Sequence, residues 1–234
     1  MELLAFGAAG WGDELAEGAW LTLRLAAAAL IVGLGLGVLG ATALMSRKRS
    51  LRALGNAYVT AVRGVPELLV VFVVFFGGGF ALQAIMGLWS EGDYVEVDAF
   101  AAGVAALGLM FGAYASEVFA GAYRAVPRGE IEAARTLGLA PLLTARFVIW
   151  PHVWRLALPG LGNLWLVLLK DTSLVSVIAL DELTRMANVA VGATKQPFTF
   201  YAAAAAVYLA LTALSMAGMG LLERRARASA GRGR

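Results

Sequence analysis

The sequence predicts an all-α polytopic membrane protein, and three observations predict it. Apolar residues make up 60% of the 234-residue chain and charged residues 15%, whereas a water-soluble domain runs near half apolar and about a quarter charged. The apolar residues arrive in runs long enough to cross a bilayer core of about 30 Å, which takes about 20 helical residues. The charges gather in short clusters between those runs. Mean hydropathy is correspondingly high, at +0.76. Lipid imposes this pattern, because a spanning segment has no water for its backbone and must satisfy it as a helix.

Residues 1–17 are an acidic, amphipathic lead-in carrying Glu2, Asp13, Glu14 and Glu17. A secretory signal peptide would begin with positive charge. Residues 18–44 form the first span, with Arg24 near enough to its start to snorkel to the headgroups. Gly33 and Gly37 are a small-xxx-small pair, open to close helix packing or to lipid-facing flexibility. Arg47, Lys48, Arg49 and Arg52 then form a basic cluster.

The second span lies within residues 59–89, with Arg63-Gly64-Val65-Pro66-Glu67 near its start and glycines 77–79 bending or loosening it. The third lies within 100–123, interrupted by Glu117. Residues 124–152 carry too much charge for lipid. The fourth apolar run, 153–180, contains Arg155, Lys170 and Asp171, and residues 201–222 make the fifth. The expected membrane domain is therefore 18–222, followed by a basic tail at 223–234.

Charge bias orients the five spans. The first connection has four bases and no acid; the second, residues 91–98, has four acids and no base. The third has five arginines between 124 and 155 against Glu130 and Glu132, residues 181–197 are balanced, and the tail is basic. The positive-inside rule then places the N-terminus outside and the C-terminus in the cytoplasm, in an odd number of crossings.

Several chemistries are excluded. The chain has no cysteine and one histidine, His152, so it offers no disulfide framework, thiol nucleophile or Cys/His metal site. A net charge of +3 distributed beside apolar runs points to membrane orientation, not to nucleic acid. Nor does the sequence contain the glycine-rich phosphate loop ending in Lys-Ser/Thr. If ATP drives this protein, another chain hydrolyses it.

The third connection is the most organised polar segment. Glu130, Glu132, Ala133 and Ala134 favour a short helix with acid at its positive end. Gly138 supplies a stop and Pro141 a turn. A second helical stretch is expected from Leu142 to Trp150, where Pro151 interrupts it. The product is a helix-turn-helix knob suited to a groove on a partner, or simply a connection between spans.

This knob resembles the coupling loop of ABC importer permeases. The family pattern is Glu-Ala-Ala, three residues, Gly, nine residues, an aliphatic, one residue, then Leu-Pro. Here it reads Glu132-Ala133-Ala134, Gly138, Val148 and Trp150-Pro151, with Trp150 departing from Leu. The resemblance is closest to the polar amino acid permeases of the histidine, lysine/arginine/ornithine and opine systems. Arg63-Gly64-Val65-Pro66, Gly112-Ala113-Tyr114-Ala115-Ser116-Glu117, Gly121-Ala122 and 169–176 resemble that group's segments, although Ala120 stands where it usually has Arg.

The resemblance implies a type I importer fold of five transmembrane helices in a bacterial inner membrane. It implies an identical or homologous permease partner, two cytoplasmic subunits that bind ATP and Mg, and an extracytoplasmic solute-binding protein. Glu132, Ala133, Ala134, Gly138 and Pro151 would couple to the ATPase, and the chain itself would be a non-catalytic subunit importing a polar or cationic amino acid.

Charges inside the membrane mark the candidate substrate path, because they are costly unless paired or facing water. Glu117 can pair with Arg63 or Lys170, or serve a cavity. Asp171 suits the ammonium or guanidinium of a cationic amino acid, or an internal ion pair. Neighbouring helical positions do not share a face, so Asp171 and Lys170 point differently. Asn163 and Thr172 are the neutral polar candidates. Two rival classes remain open at this level. A secondary transporter would carry internal repeats and its own coupling-ion site, and a membrane scaffold would leave the knob and buried charges without a common purpose.

Overall fold

A computed structural model describes residues 2–7, 10–86 and 97–231. The described residues form ten α-helices with no strand. In order these are α1 Gly12–Leu44, α2 Arg49–Gly64, α3 Glu67–Phe72, α4 Gly78–Met86 and α5 Ala99–Arg124. Then come α6 Arg128–Thr136, α7 Pro141–Thr144, α8 Trp150–Asp171, α9 Leu183–Thr194 and α10 Pro197–Gly231.

Four helical stretches are long and apolar enough to cross a membrane: Gly12–Leu44, Ala99–Arg124, Pro141–Ile178 and Pro197–Arg225. The pair α2 and α3–α4 passes the same test together but is bent by 112°. The crossings thus number four, or five with the bent pair counted as one. The bend has a local cause. Pro66 disfavours helical backbone in the residue before it, and Val65 is extended, with φ −105° and ψ 138°. The expected Arg63–Glu67 segment is therefore an elbow between two helices, and an amphipathic helix, α2, occupies most of the stretch ahead of it.

The core is built on the seam between α1 and α5. On α1, Gly33, Gly37 and Gly40 are buried at this seam, while Gly18 packs on Leu183 of α9. A Cβ on Gly33 would lie 2.6 Å from Phe111 Cδ1, and one on Gly37 would lie 2.7 Å from Ala115 Cβ. From the other side, a Cβ on Gly112 would lie 2.6 Å from Leu36 Cβ. The glycine pair serves close helix packing: each glycine leaves the space that an α5 side chain fills, so the helices approach closely. Gly35, by contrast, has open space around it. Leu25, Leu107, Phe111, Phe119 and Val175 fill the rest of this core.

Two helical segments widen to a π-helix, at Val73–Gly77 and Ala145–Ile149. The first falls where loosening was expected, just ahead of Gly78 and Gly79. The second corrects the expected break at Pro151. Helix continues through that residue to Asp171 and tightens to a 3-10 helix over Thr172–Ile178. Pro151 stands in the first turn of α8, immediately after a stretch where the usual hydrogen-bond ladder is already re-registered, so its missing N–H breaks nothing.

α5 starts at a capped end. Asp98 Oδ2 accepts a hydrogen bond from the Ala101 N–H at 2.8 Å, the usual role of an aspartate before a helix. The rest of the acidic connection, residues 91–96, lies outside the described residues, as do Arg232 and Arg234 of the tail. The balanced segment after the fourth run holds α9, which joins Leu15 of α1 to Phe200 and Ala204 of α10 through buried Leu183 and Ala187.

Candidate functional site

The helix-turn-helix knob is formed by α6 and α7. Its turn satisfies the orphan carbonyls of α6 in two steps. The Gly138 N–H bonds to Arg135 O at 3.0 Å and the Leu139 N–H to Ala134 O at 3.1 Å. Gly138 has φ +76°, the left-handed backbone that this closure requires and that glycine adopts without a Cβ penalty. Ala134 is buried, while Glu132 and Ala133 face outward and Pro151 is exposed. Leu137 is 81% exposed and Leu142 79% exposed, so the knob presents two uncovered leucines beside its turn.

The knob is fastened to α8 by a contact that sequence reading missed. Glu130 Oε2 lies 3.0 Å from His152 Nε2, and His152 Nδ1 lies 2.9 Å from Val148 O. Both partners are acceptors, so both contacts are hydrogen bonds when both ring nitrogens carry a proton. The available signal was the acid at the start of α6 and a lone histidine in the first turn of α8.

The membrane charges separate into two groups. Arg63, at the end of α2, forms an ion pair with Glu117 on α5. Its guanidinium also lies 5.3 Å from the Tyr114 ring centroid. Nearby, the Tyr58 hydroxyl donates to Leu109 O at 2.8 Å. These contacts dock the elbow on α5.

Asp171 belongs to the second group. It lines a cavity between α5 and α8 with Leu107, Phe111, Tyr114 and Leu168. At about 10 Å³ the cavity has room for roughly one water. Glu67, in the first turn of α3, and Lys170 both act electrostatically on Asp171. The charge of Glu67, from a segment distant in sequence, thereby reaches Asp171.

Lys170 and Asn163 are both exposed and, seven residues apart, share one face of α8. Thr172 is fully buried and its hydroxyl donates to Leu169 O at 2.7 Å.

A further buried acid escaped the sequence reading. Glu182 is fully buried and caps α9, accepting from the Arg185 N–H at 2.8 Å and the Thr184 N–H at 3.0 Å. The Tyr208 hydroxyl donates to it at 3.0 Å. Burial pushes its carboxyl above the ordinary range, although these hydrogen bonds oppose the shift. The clue was an acid directly before an apolar-periodic run, a helix-start signal.

No group of three or more His, Cys, Asp or Glu suited to a metal occurs among the described residues. The geometry therefore comprises an elbow pinned to α5, the Asp171 carboxylate at a narrow cavity, and a tethered polar knob.

Comparison with known proteins identifies this arrangement. Residues 33–228 match the family described as binding-protein-dependent transport system inner membrane component. The chain is 50% identical over 219 residues to the nopaline transport system permease protein NocQ of Agrobacterium fabrum, covering 93% of each chain. It is 42% identical over 207 residues to the arginine ABC transporter permease protein ArtQ of Haemophilus influenzae, covering 88% of this chain and 90% of that one. Among solved structures, an amino acid ABC transporter crystallised with histidines superposes with a TM-score of 0.78 at 31% identity, over 92% of this chain and 95% of that one. The MetNI methionine transporter in an inward-facing form shares the fold, with a TM-score of 0.71 at 17% identity over 91% and 96% of the two chains. An all-helical membrane chain with a tethered Glu-Ala-Ala knob thus belongs to the family of inner membrane components of binding-protein-dependent transport systems.

Proposed function

We propose that this chain is the permease subunit of an ATP-driven importer of cationic amino acids or their conjugates. The observation that carries the reading is the α6–α7 knob. Its turn is fixed by Gly138, its base is tied to α8 by Glu130 and His152, and its leucines are left uncovered. Exposed apolar side chains on a rigid, polar-flanked projection suit a groove on a partner. In this reading the knob seats Glu132, Ala133, Ala134 and Gly138 in a cytoplasmic ATP-binding subunit, and Pro151 passes that subunit's movement into α8. Two such subunits, a second permease and an extracytoplasmic solute-binding protein complete the assembly, with the N-terminus outside and the C-terminus in the cytoplasm.

Charge supports the substrate class. Asp171 and Glu67 offer carboxylates to a guanidinium or ammonium group, the strong form of charge-assisted hydrogen bonding. The relatives named for nopaline and arginine transport handle solutes that carry a guanidinium. The Asp171 cavity is too narrow for an amino acid, so substrate passage requires α5 and α8 to separate at this level. Lys170 and Asn163, on the open face of α8, would meet substrate or the second permease, and the buried Thr172 would hold the turn that aims Asp171.

Uptake by the complete complex in proteoliposomes, comparing Arg, Lys, His, Gln and Glu, tests the reading. Cationic substrates should accumulate only with ATP inside. Uptake that proceeds without ATP, or on an ion gradient alone, would favour the secondary-transporter class. Asp171→Ala should depress uptake of Arg and Lys more than of Gln; unchanged uptake and unchanged preference would remove Asp171 from the path.

A further inference from the structure

A second cavity, of about 250 Å³, opens at the end of the bundle where α1 and α5 finish and the helix starting at α7 begins. Its walls include Val38, Ala41, Phe119, Ile149 and Val153, with Thr42, Tyr123 and Trp150 as the groups bearing polar atoms. Apolar cavities of about 150 Å³ already stay dry and take up hydrocarbon. This one is larger and belongs to a chain surrounded by acyl chains.

Its rim distinguishes it from an ordinary lipid-facing groove. Met45, Tyr123 and Ala145 line the cavity, and a base follows each within two residues: Arg47, Arg124 and Arg146. All three arginines are exposed. None has a carboxylate partner in the ion pairs of the described residues, which join Arg63 to Glu117, His152 to Glu130 and Arg185 to Asp181. Lys48 and Arg49 add charge beside Arg47. Two helix ends and the π-helical segment thus place exposed bases one or two residues from the lining of one apolar hole, Arg146 also lying 5.7 Å from the Phe147 ring centroid.

We propose that this cavity is a binding site for an anionic phospholipid, with an acyl chain between Val38 and Val153 and the phosphate among Arg47, Arg124 and Arg146. A zwitterionic lipid could fill the hole but would gain less from a basic rim, because its own ammonium offsets the phosphate charge. Basic pockets between membrane helices recognise anionic headgroups on this principle. The lipid would also wedge the start of α8 against α1 and α5, next to the Glu130–His152 tether.

The test uses the full-length chain with the subunits that copurify with it, incubated with equal amounts of phosphatidylglycerol and phosphatidylcholine and read by native mass spectrometry. Phosphatidylglycerol should be retained preferentially. Arg47→Gln/Arg124→Gln should reduce that preference by roughly fivefold per base removed, while the equally charged change Arg224→Gln/Arg225→Gln should leave it in place. Thr42→Trp, which fills the mouth from an exposed position, should abolish retention of either lipid there.

A second measurement needs no variant that blocks the site: brominated phosphatidylglycerol should quench the wild-type protein more than Trp150→Phe, because Trp150 lines the cavity. Equal retention of the two lipids, a loss matched by the Arg224/Arg225 control, or quenching indifferent to Trp150 would each overturn the proposal.

Discussion

Arg63 and Glu117 join the end of α2 to α5 by an ion pair, and the Tyr114 ring covers the arginine from the same helix. The elbow at Pro66 is therefore held from outside as well as bent from within.

Glu117→Gln should take the partner from Arg63 at a partly exposed site and cost about 0.2–1 kcal/mol. Arg63→Gln/Glu117→Gln should recover part of that loss, since removing both charges strands neither. Thermal unfolding of the detergent-purified chain in a double-mutant cycle checks this; strictly additive losses would show that the two side chains act independently.

Gly37→Leu should force α1 away from Ala115 and lower stability by about 1–3 kcal/mol, the usual cost of overpacking. Gly35→Leu is the matched control, because nothing lies within 4 Å of a Cβ there. Comparable unfolding temperatures for the two variants would contradict the seam.

Gly138→Val should cost about 1–2 kcal/mol through left-handed backbone alone, as its surroundings are open. Gly138→Asn should cost less, since asparagine tolerates this region. Faster proteolysis at the α6–α7 turn and weaker copurification of ATP-binding chains should follow the same order, Val before Asn.

Glu182 carries a pH dependence whose sign is fixed by burial. Its folded carboxyl holds a proton to higher pH than its unfolded value near 4.5. The stability it contributes is complete below that value and is lost as pH rises through the folded pKa. Glu182→Gln should remove this part of the slope. The gap in unfolding temperature between wild type and variant, followed from pH 4.5 upward, should therefore change with pH; a constant gap would mean that Glu182 does not titrate there.

Much of this fold was legible in the sequence because lipid restricts what a spanning segment can be. Apolar length indicated the crossings and Gly138 the end of α6, while Gly33 and Gly37 left close packing and lipid-facing flexibility open until the contacts with Phe111 and Ala115 decided for packing. Context decided the rest. The elbow was read as part of a span because the basic cluster around Arg49 hides the amphipathic face of α2. Pro151 was read as a break because sequence does not disclose a π-helix just before it. The influence of Glu67 on Asp171 and the contact of His152 with Glu130 are tertiary relationships, for which the sequence supplies the residue types but not the partners. Glu182 was hidden by net charge, which averages a buried acid with its exposed neighbours.

The glycine seam between α1 and α5 has a mechanical consequence. With side chains of one helix seated on glycines of the other, Phe111 on Gly33 and Leu36 on Gly112, there is no slack to let one slide past the other. The pair behaves as a stiff plank running the depth of the bilayer. Movement that opens a path must fall on the elements hung from it: the elbow, the two widened helical segments and α8.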